Sequence, residues 1–243
     1  MKKCALITGA SGGIGSAIAL RLAKDGFAIA ACYCSDEKGI GELSEKLAEN
    51  GADFKIYRAD VSDMNKIKEI FADATEYFGG VSVLVNNAGM AQQKLFTDIT
   101  EAEFDRITAV NFNGVFNCCQ CAVPFMVSQK NGKIINISSM WGVCGASCET
   151  VYSATKAAVI GLTKALAREL APSNVQVNCV APGAIETKMN NNLSEDDKKS
   201  FAEEIPMGRF GRPEEIAGVV SFLASDDSNY VTAQVITADG GLT

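Results

Sequence analysis

Short runs of almost unbroken apolar residues alternate along this chain with longer stretches of helical periodicity, and the first run empties directly into glycine. Cys4-Ala5-Leu6-Ile7-Thr8 leads into Gly9-Ala10-Ser11-Gly12-Gly13-Ile14-Gly15, which opens a helical pattern. A strand that is apolar on successive residues is buried on both faces, as in parallel sheets covered by helices. The strand candidates are residues 4–8, 28–33, 54–59, 81–86, 133–138, 176–180 and 235–238. Helical stretches fall between them at 13–25, 36–50, 63–78, 100–129, 150–170 and 213–224, the last with proline at an early helical position. Parallel strands need crossovers, so the alternation predicts an α/β fold: a doubly wound, Rossmann-type parallel sheet of about seven strands with helices on both faces. At 243 residues a single such domain, 1–243, uses the whole chain. Residues 186–211, rich in Asn, Asp, Glu and Lys, have weak strand or core character and are expected to form a lid.

Charge and cysteines narrow the function. The formal charge of −7 argues against a nucleic-acid binder. The first apolar run is too short for a signal peptide and no stretch approaches membrane-spanning length, so a cytoplasmic protein is expected. Nine cysteines occur without one histidine and without paired C-x2-C units, which removes the usual zinc patterns; no metal is expected. The thiols are expected to be reduced and mostly buried, with Cys144 and Cys148, in a loop, the two to test for exposure.

Without histidine, proton transfer near neutral pH must use another side chain. Tyr152 and Lys156 stand four residues apart in a helical stretch and so share a face. The ammonium is expected to favour the phenolate, lowering a pKa that starts at about 10. At the first β–α turn, Gly9, Gly13 and Gly15 let the backbone approach a pyrophosphate, and the following helix offers free N–H groups. The spacing is neither G-x-G-x-x-G nor a P-loop, and a packing turn is the simpler alternative. The second strand ends Cys32-Tyr33-Cys34-Ser35, with no acid before Asp36 and Lys38 the nearest cation, which leans towards a 2′-phosphorylated dinucleotide. Asn86-Asn87-Ala88-Gly89 closes the fourth strand with small residues and bracing amides. Asn111 lies in a helical stretch, where a solvated amide is the simpler reading, and Ser139 ends the fifth strand at the ligand crevice.

In that order, T-G-A-S-G-G-I-G, N-N-A-G, Asn111, Ser139, Y-S-A-T-K and P-G resemble the short-chain dehydrogenase/reductase superfamily over essentially the whole chain. The resemblance implies that Tyr152 protonates a carbonyl oxygen as hydride arrives, and that Lys156 lowers the Tyr pKa and binds the nicotinamide ribose. It implies that Ser139 donates to the substrate oxygen and that Asn111 holds a water linking Lys156 to solvent. Gly9, Ser11, Gly12, Gly13, Ile14 and Gly15 would carry the phosphates and adenosine ribose, and Asp60 and Val61 would face the adenine. Asn87, Ala88 and Gly89 would wall the cofactor, and Pro182, Gly183, Ile185 and Thr187 would contact its nicotinamide side.

Within the superfamily, Y-S-A-T-K-A-A-V-I-G-L-T-K-A-L-A-R-E-L-A, V-N-C-V-A-P-G-A-I-E-T-K-M and P-M-G-R-F-G-R-P-E-E-I-A resemble bacterial 3-oxoacyl-(acyl-carrier-protein) reductases. This implies NADPH-dependent reduction of a 3-oxoacyl thioester on an acidic acyl carrier protein, in fatty acid biosynthesis, with NAD(H) also open. Gly12 stands where the family usually has Arg; Lys130 occupies one basic position expected to dock a carrier, and Ser173 stands where such reductases can carry an Arg. Residues 141–150 should border the substrate. A homotetramer is implied, through the helices at 100–129 and 150–170 and through the last helix and strand. The alternatives are an acetoacetyl-CoA reductase, a polyol or hydroxy-acid dehydrogenase, or a non-catalytic nucleotide sensor.

Overall fold

In the computed structural model, which describes residues 3–187 and 194–243, the apolar runs pair into one sheet. Its strands are β1 (Cys4–Ile7), β2 (Ala28–Tyr33), β3 (Phe54–Arg58), β4 (Val81–Asn86), β5 (Gly132–Ile137), β6 (Val175–Pro182) and β7 (Val235–Ala238). All pairings are parallel, in the order β3-β2-β1-β4-β5-β6-β7, so β3 and β7 form the edges. The strand order reverses between β1 and β4, where Ile7 lies level with Val85. The crevice beyond their carboxyl ends is therefore a topological switch point, the place where open α/β sheets bind ligands.

The helices are α1 (Gly13–Lys24), α2 (Glu37–Glu49), α3 (Met64–Phe78), α4 (Glu101–Thr108), α5 (Gly114–Gln129), α6 (Trp141–Cys144), α7 (Thr150–Leu170), α8 (Glu195–Glu204) and α9 (Pro213–Ala224). They cover both faces because neighbouring strand residues point oppositely. Leu6, Leu84, Ile134 and Val177 pack against Ile67, Phe71, Met126 and Val159 of α3, α5 and α7. Ile7, Ile29, Val83 and Ile135 pack against Ile18, Leu22, Leu43 and Val220 of α1, α2 and α9.

Several helices start one residue later than expected, because the first expected residue is the cap. Asp36 accepts from the Gly39 N–H, Asp63 from those of Asn65 and Lys66, and Thr100 forms a capping box with Glu103. The single helix expected over 100–129 is interrupted by a π-type turn, Ala109–Asn113, in which the Gly114 N–H reaches the Ala109 carbonyl. Residues 186–211, expected to lack core character, contain α8. Ile205 and Phe210 there form a small core with Ala184, against which Phe201, Ala202 and Leu242 pack. The ends of this segment are clasped: Glu186 N–H donates to Gly211 O and Gly211 N–H to Ala184 O, each at 2.9 Å. Residues 188–193 of the expected lid lie outside the described residues.

Cys4, Cys32, Cys118, Cys119 and Cys179 are buried, Cys121 and Cys148 intermediate, and Cys34 and Cys144 exposed. Cys34 follows the end of β2, and Cys144 closes α6 rather than lying in a loop. No described helix is long and apolar enough to cross a membrane.

Candidate active site

The glycine turn is shaped by what cannot fit there. Gly9 has φ +65°, and a Cβ on it would fall 2.9 Å from the Ala88 Cα; a Cβ on Gly15 would run into the Gly9 carbonyl oxygen. Backbone is thus packed on backbone, and β4 stitches the turn in place. The Asn87 side chain donates to the carbonyls of Thr8 at 3.0 Å and Gly9 at 3.1 Å, while Thr8 Oγ1 accepts from the N–H groups of Asn87 and Ala88, both at 3.0 Å. The expected bracing amide is Asn87. At Gly12, the N-cap of α1, no side chain caps the helix, so its first N–H groups open towards the crevice.

From this turn a cavity of about 1180 Å³ runs along the carboxyl ends of the strands. At the turn it is lined by Gly9, Ser11, Gly12, Gly13, Ile14 and Gly15, with Asn87, Ala88 and Gly89 beside them. Pro182, Gly183, Ile185 and Thr187 form the opposite wall, and Ser139, Tyr152 and Lys156 meet between them. Trp141, Gly145, Ala146, Ser147 and Glu149 line the cavity as well, so five residues of the expected substrate border at 141–150 face it. Asp60 and Val61 do not line it. Asp60 Oδ2 is 2.7 Å from Arg106 Nη1, and the Val61 side chain is packed under Gly114 of α5.

Ser139 lies just past β5, where its Oγ accepts the Trp141 N–H at 3.2 Å and hydrogen-bonds Tyr152. Tyr152 and Lys156 are one turn apart on α7, both buried. The expected lowering of the Tyr152 pKa is not what the geometry gives. Lys156 Nζ donates to the Ile137 carbonyl at 2.9 Å and stands 5.7 Å from the Tyr152 ring centre. Burial pushes Tyr152 up to about 12, with the Ser139 hydrogen bond opposing and the Glu149 charge adding. Burial likewise holds Lys156 down to about 8. Desolvation favours the neutral form of each and outweighs their attraction. The phenol is an acid that stays protonated.

Asn111 is fully buried in the π-type turn, which corrects the simpler reading of a solvated amide. It donates to Met90 O at 2.9 Å and Thr155 Oγ1 at 3.2 Å, and accepts the Met90 N–H at 2.9 Å. A Cβ on Gly89 would lie 3.2 Å from Lys156 Nζ and 3.4 Å from Asn111 Oδ1, so these two groups flank one spot behind the cavity wall.

Two further groups went unseen in the sequence. Lys38, expected as the cation nearest the end of β2, pairs with Glu42 at 3.8 Å. Arg58 lies opposite Tyr33 in the β2–β3 register, donates from Nε to Cys34 O at 3.2 Å and pairs with Glu37 at 3.1 Å. Parallel pairing of the second and third strands was the signal that could have found it. The other is Glu149, three residues before Tyr152 and on the same cavity wall. Among the described residues no group of three or more His, Cys, Asp or Glu side chains could hold a metal ion.

Comparison with known proteins gives consistent results. A family model described as Enoyl-(Acyl carrier protein) reductase matches residues 9–243. A 3-oxoacyl-[acyl-carrier-protein] reductase of Thermotoga maritima is 45% identical over 240 residues, spanning 99% of this chain and 97% of that protein. Its counterpart in Staphylococcus aureus strain Mu50 is 43% identical over 242 residues, spanning 100% and 98%. The crystal structure of a short-chain type dehydrogenase/reductase from Mycobacterium marinum aligns with a TM-score of 0.94 at 38% identity, covering 99% of this chain and 95% of that one.

Proposed function

The chain belongs to the short-chain dehydrogenase/reductase superfamily and is an NAD(P)-dependent oxidoreductase, and from this we propose that it reduces a 3-oxoacyl thioester, carried on an acyl carrier protein, to the 3-hydroxyacyl thioester in fatty acid biosynthesis. The observation that carries the reading is the meeting of Ser139, Tyr152 and Lys156 in a cavity whose other end is the glycine turn. The sterically closed cradle at Gly9 and Gly15 and the uncapped start of α1 suit a pyrophosphate. The dinucleotide, when bound, supplies hydride to the carbonyl carbon. Tyr152, neutral in this site, gives its O–H proton to the carbonyl oxygen as that atom gains charge, and Ser139 Oγ donates a hydrogen bond to the same oxygen. Lys156, charged below about 8, steadies the phenolate left behind. Asn111 anchors Met90 and keeps the wall at Gly89 closed over Lys156.

NADP(H) is the preferred cofactor in this reading. The end of β2 lacks a carboxylate before Asp36, and Arg58 is held against Cys34 O, near where the adenosine 2′ position binds in such folds. Its pairing with Glu37 tempers the preference and leaves NAD(H) usable. Exposed Lys130 is a docking point for an acidic carrier, and residues 186–211 act as the substrate lid. Exposed Phe104 and Phe116 on α4 and α5, and Phe222 on α9, supply the faces of a homotetramer acting in the cytoplasm.

Purified protein should oxidise NADPH with acetoacetyl-carrier protein faster than with acetoacetyl-CoA, and leave polyols and simple sugars untouched. Turnover of polyols but not thioesters would sink the reading. Light scattering should give the mass of four copies.

A further inference from the structure

Glu149 occupies the N-cap position of α7, yet its side chain caps none of that helix's N–H groups. Glu149 instead lines the cavity that holds Ser139 and Tyr152, near enough for its charge to act on Tyr152. Among the described residues no hydrogen bond or ion pair holds it. Burial without such a partner pushes its pKa upward. Among the described residues lining the cavity only Lys156 and Glu149 carry charge, and Lys156 Nζ donates to the Ile137 carbonyl beneath Tyr152. The neighbours at this end, Ala91, Gln93 and Ser147, are neutral.

A half-desolvated carboxylate with no donor of its own is costly unless a ligand brings one. A neutral substrate with an N–H group near the reacting carbonyl meets that need. A substrate with a free carboxylate there meets like charge. Building on the thioester reductase reading, we propose that Glu149 is a specificity-determining residue at the substrate end: it accepts the amide N–H of a cysteamine-type arm and turns away free β-keto acids.

The test measures kcat/KM of the wild-type chain, Glu149→Gln and Glu149→Ala with three probes. Acetoacetyl-N-acetylcysteamine carries the thioester and the amide, S-ethyl acetothioacetate the thioester alone, and acetoacetate the free acid. The wild type should favour the amide-bearing thioester over its S-ethyl counterpart by about tenfold, the scale of a charge-assisted hydrogen bond. Glu149→Ala should lose that factor, bringing the amide-bearing probe down to the level of the S-ethyl probe whatever the common change through Tyr152. Glu149→Gln, which keeps shape and an acceptor oxygen, should retain part of the preference and raise acetoacetate turnover about fivefold or more as repulsion is removed. An unchanged ratio between the two thioesters in Glu149→Ala, no wild-type preference between them, or acetoacetate turnover unmoved in Glu149→Gln would each overturn the proposal. Fluorescence of bound NADPH should be unchanged in both variants, and the near-isosteric Gln variant keeps the test decisive if Ala impairs folding. A wild-type chain inactive on all three probes would refute the reductase reading itself, a result distinct from the others.

Discussion

The two ends of the cavity are built from different materials. At the dinucleotide end the walls are backbone: the Gly9–Gly15 turn, the Thr8–Asn87 stitches and the uncapped start of α1. At the substrate end the walls are side chains, among them Trp141 from α6 and Glu149 before α7. A backbone wall admits no added atom, because its dimensions are set by main-chain contacts. A side-chain wall can change its chemistry one residue at a time without disturbing the sheet. Ser139, Tyr152 and Lys156 stand at the seam, fixed by β5 and α7, so one reaction can serve different substrates.

Substitutions at the seam and at each end should separate these contributions. Tyr152→Phe should lower the reduction rate by about 10²–10⁴ and leave dinucleotide affinity unchanged; loss of affinity as well would mean the seam is part of the cofactor wall. Gly15→Ala forces a methyl group against the Gly9 carbonyl. It should weaken dinucleotide binding by more than about tenfold and destabilise the fold by about 1–3 kcal/mol, read by thermal unfolding. Asn87→Ala frees two carbonyls at about 1 kcal/mol each, raising KM for the dinucleotide by about tenfold with kcat kept. A fall in kcat instead would place Asn87 with the seam.

The smallest effect is the response to pH. Lys156 is charged below about 8 and loses its charge above, while Tyr152 stays protonated up to about 12. Reduction should therefore hold steady towards neutral pH, with no histidine in the chain to titrate there, halve at about 8 and continue to fall. Lys156→Arg, whose charge does not titrate in this range, should lack that falling limb. A wild-type profile flat through 9 would show that the charge of Lys156 is not used.

Much of the dinucleotide end was legible in the sequence, because glycines at a strand–helix junction report a local steric demand. β2, β4, β7, α7 and α9 also match their expected limits. What escaped was set at longer range. α8 is polar by composition, and its core forms only where Phe210 meets Ile205 and Ala184, with Phe201 and Leu242 packed on it. The π-type turn that draws Asn111 inward leaves no mark on a helical repeat. Spacing correctly put Tyr152 and Lys156 on one face. It could not show that desolvation would outweigh their attraction. Arg58 became a neighbour of Cys34 only through the register of β3 on β2.

The two edges of the sheet differ. β3 presents Lys55 and Arg58 along its border, each in an ion pair, while β7 is four residues long and carries Val235, Ile236, Thr237 and Ala238 without a charge. Charge along an exposed strand discourages another strand from adding to it. Of the two borders, β7 is therefore the one at which an added strand would meet no charged side chain.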